Sequence, residues 1–86
     1  MNVNLPLETF TVYLLKCNDE TMYTGCTSNL SQRMKAHSDG KVKYTATRLP
    51  LSVITTIQFC DKYKAFQFEK YLKSGSGKAF SNKRLI

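Results

Sequence analysis

The rhythm of apolar and polar positions changes several times along these 86 residues, and each change marks a boundary. FTVYLLKC, residues 10–17, is dense in β-branched and aromatic side chains and predicts a strand. NDET follows as a turn and MYTGC, residues 22–26, predicts a second strand, so the two read as a hairpin. Because side chains alternate along a strand, the loop length fixes which residues share a face. A two-residue loop would set Tyr13 and Tyr23 on opposite faces. A three-residue loop, Asn18–Glu20, pairs Tyr13 near Gly25 and puts both tyrosines on one face. Such a loop favours a left-handed residue at its end, where glycine is easiest, and Glu20 occupies that place.

Ser28 or Asn29 can cap a helix running to about Ser38, with Leu30, Met34 and His37 recurring on one side. Gly40 ends it. KVKYTATRLP, residues 41–50, is polar, basic and aperiodic, and reads as a loop. LSVITTIQF, residues 51–59, predicts a third strand. Asp61 caps a helix from about Lys62 to Ser74, closed by Gly75. SGKAFSNKRLI is a basic tail with a short helical turn or more. The pattern therefore predicts a leader over residues 1–9 and one α+β domain over 10–86, of order ββαβα plus a helical tail. The longest apolar run, Val12–Leu15, falls far short of a membrane span. MNVNLPLETF has neither the basic start nor the apolar stretch of a signal peptide.

Hydrophobic residues make up 42% of the chain, enough for one modest core and too many for a disordered segment. Cys17, Cys26 and Cys60 are odd in number and lack CxxC spacing, which argues against a disulfide framework and a structural zinc site. Buried free thiols in a reducing cytoplasm are the expectation. Thirteen Lys and Arg against six Asp and Glu give a net charge of +7, a field that favours a polyanion such as nucleic acid.

Candidate chemistry lies where polar groups occupy positions that packing would give to apolar ones. Ala65, Phe68, Glu69 and Leu72 follow helical spacing, so Glu69 lies on or beside a buried stripe. Either a salt bridge to a nearby lysine satisfies it, or it serves a hard divalent cation, which wants carboxylate oxygen. Arg33 and His37 lie one turn apart beside the stripe of the first helix. They read as a surface arginine and a satisfied histidine, or together as a phosphate clamp beside a proton-handling imidazole. Gly25 weakens its strand, a common sign of close approach by a backbone or ligand.

Taken in order, Tyr13, Tyr23-Thr24-Gly25, Arg33-x₃-His37 and Glu69 resemble the GIY-YIG nuclease family, also called the URI domain. That family includes the N-terminal nuclease module of the repair excinuclease, homing endonucleases and some restriction enzymes. Thr11-Val12-Tyr13 and Tyr23-Thr24-Gly25 stand at the two namesake triplets, keeping the tyrosines and the glycine. The family's late asparagine falls on Asn82. The resemblance covers about residues 10–86 and is closest to small stand-alone members. It implies a three-stranded antiparallel sheet flanked by helices, and metal-assisted hydrolysis of a DNA phosphodiester, in DNA repair or recombination.

Roles follow from the resemblance. Glu69 would hold one Mg²⁺ or Mn²⁺ ion and Arg33 would bind nonbridging phosphate oxygens. Tyr23 would orient or deprotonate the attacking water, a task for which a phenol needs cations nearby. Tyr13 and His37 would form a relay behind it. Gly25 would leave room for the DNA backbone, and Asn82 would orient the metal carboxylate or contact substrate. Lys35, Lys43, Arg48 and Lys83 suit a nonspecific phosphate track. The chain has no room for a separate recognition domain, so sequence specificity is expected to be weak unless a homodimer or a partner protein supplies it. A non-cleaving nucleic-acid-binding module of the same fold is the alternative, and a structural domain with a solubilising basic face is the third reading.

Overall fold

An odd-length loop decides the hairpin. In the computed structural model, which describes residues 2–86, β1 (Phe10–Lys16) and β2 (Met22–Thr27) pair antiparallel. Tyr13 stands opposite Gly25 and Leu15 opposite Tyr23, so both tyrosines share a face. The Cys17 N–H donates to the Thr21 carbonyl at 2.8 Å and closes the loop Asn18–Glu20. Glu20 takes the left-handed conformation there, φ 71°, without help from a glycine. Asp19 steadies the turn by accepting hydrogen bonds from both the backbone and the hydroxyl of Thr21.

β3 (Ser52–Phe59) adds antiparallel to the other side of β1, giving the order β2-β1-β3. β1 is central and covered on both faces, which explains why Val12–Leu15 is an unbroken apolar run rather than an alternation. Val12 and Leu14 face α3 (Lys62–Leu72), whose Ala65 and Leu72 close the apolar core, with Met22, Phe59, Phe68 and Leu85 at its margins. Tyr13 and Leu15 face the other way, toward α1 (Leu30–Ser38). Asn29, one of the two candidates, caps α1 by accepting from the Gln32 N–H at 3.1 Å. Asp61 caps α3 as its sequence predicts, accepting from the N–H groups of Tyr63 and Lys64.

Three expectations need correction. Residues 41–50 are not a loop throughout, because Lys43–Ala46 forms a single helical turn, α2. The tail is helical as expected, a ten-residue helix α4 (Gly75–Arg84) capped by Ser74, whose hydroxyl accepts from the Gly77 N–H. Gly75 therefore opens α4 rather than closing α3. A Cβ on Gly77 would overlap the Tyr71 carbonyl, so that glycine allows the tight α3–α4 corner. All three cysteines are free, but only Cys17 is buried, while Cys26 is half-buried and Cys60 exposed. Among the described residues no helix is long and apolar enough to cross a membrane.

Candidate active site

Tyr13 sits at the middle of the central strand and is 0% exposed. Its ring crosses β2 over Gly25, where a Cβ would overlap the phenol. The space at Gly25, expected to admit the DNA backbone, is filled by the Tyr13 ring. The Tyr13 hydroxyl accepts from the Arg33 Nε–H at 3.3 Å and lies 2.9 Å from His37 Nε2.

His37 is 1% exposed, and its Nδ1 lies 2.8 Å from the Thr45 hydroxyl on α2, itself fully buried. That hydroxyl donates to the Val42 carbonyl at 3.4 Å. One arrangement satisfies every group. Thr45 donates to Val42, His37 Nδ1–H donates to Thr45, and Nε2 accepts the Tyr13 proton. Burial, with the Arg33 charge added, holds His37 below the usual histidine range. Burial also pushes the Tyr13 phenol up, against the opposing hydrogen bond from Arg33. Both groups are thereby held in their neutral forms.

Tyr23 completes the cluster from β2. Its ring centroid is 5.1 Å from His37, 6.2 Å from Tyr13 and 5.7 Å from Tyr44. Unlike Tyr13, Tyr23 is only half-buried, so it is the phenol with access to solvent. Arg33 is exposed, and the Tyr13 hydrogen bond, followed by the charges of both phenols, raises its pKa. The guanidinium thus stands over both tyrosines with its far side open.

Glu69 arrives from the opposite layer. Its side chain is 22% exposed and pairs with Lys73 at 3.2 Å, so the salt bridge envisaged from the spacing is formed. Its charge, after burial, raises the Cys26 thiol on its own face, and it is also among the causes that raise Tyr13 on the other. Cys26 and Tyr13 point to opposite faces of the sheet. A groove of about 390 Å³ beside β2 is lined by Tyr23, Tyr44, Asn82 and Lys73, the ion-pair partner of Glu69, but not by Glu69 itself. Among the described residues no group of three or more His, Cys, Asp and Glu gathers. One part-exposed carboxylate still fits Mg²⁺ or Mn²⁺, since Mg²⁺ usually takes one or two carboxylates and completes its shell with water and phosphate.

The expected phosphate track is only partly there. Lys35 pairs with Asp39 at 2.8 Å. Arg48 is not a free cation: it bonds Asp19 at 3.0 Å and lies 4.0 Å over the Tyr44 ring, pinning α2 to the hairpin loop. Lys43 and Lys83 are exposed, on α2 and α4. The sequence reading missed Tyr44 and Thr45 altogether. Thr45 is buried for its hydroxyl, which hydrophobic periodicity does not register. The available signal was the histidine itself, because a buried imidazole needs a partner on each nitrogen.

The chain matches the GIY-YIG catalytic domain over residues 9–84. It is 40% identical over 62 residues to the UPF0213 protein YsiG of Lactococcus lactis, covering 71% of this chain and 60% of that protein. The UPF0213 protein YazA of Bacillus subtilis is 44% identical over 62 residues, 71% of this chain and 63% of its own length. The match thus spans less than two thirds of either relative. The solution NMR structure of a UPF0213 protein from Bacillus halodurans superposes with a TM-score of 0.57 at 35% identity, covering 87% of this chain and 83% of that one.

Proposed function

The chain belongs to the GIY-YIG family of nuclease domains, and from that premise we propose that it is a divalent-metal-dependent endonuclease hydrolysing DNA phosphodiester bonds. One observation carries this reading. The solvent-reaching Tyr23 and the exposed Arg33 stand on a buried, fully hydrogen-bonded Tyr13–His37–Thr45 chain.

Arg33 commits its Nε–H to Tyr13, which leaves the terminal nitrogens to grip nonbridging oxygens of the scissile phosphate. Tyr23 orients the attacking water. Tyr13 and His37 are sealed from that water and act as positioning residues, holding the guanidinium and the Tyr23 ring at fixed angles. Glu69 holds the Mg²⁺ or Mn²⁺ ion. When bound, the ion neutralises the phosphate and stabilises the leaving 3′ oxygen. Asn82, on the same groove as Tyr23, contacts the substrate from α4. Lys43 and Lys83 attract the flanking backbone without reading sequence. Repair or recombination of DNA is the context this chemistry suits, with a second copy or a partner supplying site choice.

A plasmid-nicking assay tests the reading. Wild type should nick with Mg²⁺ or Mn²⁺ and stop under chelation, while Tyr23→Phe and Glu69→Ala should lose activity and keep DNA binding. Wild type that binds DNA but does not nick it under any divalent ion would instead be a non-cleaving module. Nicking that survives both substitutions would displace these residues from the site.

A further inference from the structure

We propose that the groove beside Tyr23 is a pocket for one unpaired nucleobase, so that the substrate is DNA with an unstacked nucleotide next to the scissile phosphate. This rests on the nuclease reading above and specifies what the same site takes. At about 390 Å³ the groove lies at the small end of the range for ligand pockets, a size suited to a single base with part of its sugar.

Its walls match that occupant. Leu14 and Leu72 give an apolar floor, and Tyr23 with Tyr44 forms one aromatic side, the two rings 5.7 Å apart and inclined by 32°. Asn82 brings an amide that can donate to or accept from a base edge, whichever base is present. Lys78 stands exposed at the rim, where it would meet a phosphate flanking the base, with Lys73 beside it in its pair with Glu69. An apolar metabolite would have no use for that cationic rim, and a bare phosphate none for the floor.

Position ties the pocket to the chemistry. Tyr23 belongs both to its wall and to the cluster with His37, while Lys73 belongs both to its rim and to the ion pair with Glu69. A base seated between them brings its own phosphate beside the phenol on one side and the Lys73–Glu69 pair on the other. A base inside an intact duplex cannot reach this groove without leaving the stack, whereas a bulged, flapped or mismatched one is already free to enter.

Binding measured under chelation separates this pocket from the nuclease activity. Fluorescence anisotropy would compare wild type on a paired duplex, on the same duplex with one bulged nucleotide, and on that bulge made abasic. The bulged base should bind about tenfold tighter than either comparator, the scale of one lost stacking contact. Ile86→Trp, at a lining residue that is 54% exposed, should fill the pocket and abolish the preference while leaving duplex affinity unchanged. Equal binding of bulged and abasic DNA overturns the proposal, as does a preference that survives in folded Ile86→Trp. The abasic comparison uses wild type alone, so it decides the matter even where the variant does not fold. Metal-dependent nicking alongside equal binding would leave the nuclease reading standing, and absence of any DNA binding would remove both.

Discussion

Val12 and Leu14 leave β1 on one side, Tyr13 and Leu15 on the other, and the two layers they enter are built differently. Toward α3 the contacts are apolar and non-directional, Leu14 meeting Ala65 and Leu72. Toward α1 and α2 the central contacts are hydrogen bonds, each with a single acceptable partner. The first layer tolerates change in shape as long as its volume is kept. The second tolerates little, because removing one partner strands another in a buried setting. Stability therefore resides mainly in one layer and chemistry in the other. They meet beside β2, where Lys73 and Tyr23 line one groove.

Substitutions can break that division or sharpen it. Val12→Ala should give the largest effect, lowering the unfolding free energy in urea by about 2–3 kcal/mol, since the site is 0% exposed and enclosed. Nicking per folded molecule should stay the same, and a parallel loss would erase the distinction between the layers. Thr45→Val keeps the volume but leaves the His37 Nδ1–H without an acceptor. It should cost about 1–3 kcal/mol and also reduce nicking per folded molecule, with Thr45→Ser restoring both.

The smallest effect concerns pH. His37 titrates lower in the folded chain than in the unfolded one, so the unfolded state binds the proton first. Its contribution is fully present above about pH 6.5 and is lost as the pH falls through the folded value. The midpoint of thermal unfolding should decline below that point in wild type and in Val12→Ala, but not in His37→Gln. Asp19 and Asp39 are both shifted down, Asp19 by its Thr21 hydrogen bonds and Asp39 by the Lys35 pair. Their share is present above about pH 4 and lost only below it, so it falls outside this window.

Much of this division is legible in the letters. Counting back from a three-residue loop places Tyr13 opposite Gly25, and the backbone obeys even though Glu20 must take a left-handed turn. Glu69 is legible as an acid at the margin of an apolar stripe. Short polar elements are not legible in this way. α2 has one turn, no side-chain cap and no apolar face, and it is held by Arg48 reaching back to Asp19, a contact across 29 residues. α4 is legible as a helical tail but not in its bounds, because its glycines read as breakers although Ser74 starts the helix and Gly77 serves the corner. Counting cations likewise overstates the phosphate track, since charge in a sequence does not reveal which arginine is already paired.

The crossing of the Tyr13 ring over Gly25 makes two positions behave as a single genetic unit. A methyl group at 25 and an aromatic ring at 13 compete for the same volume, so neither can be redesigned while the other is kept. Engineering a new specificity into this scaffold would have to treat that pair as fixed and work outward from it.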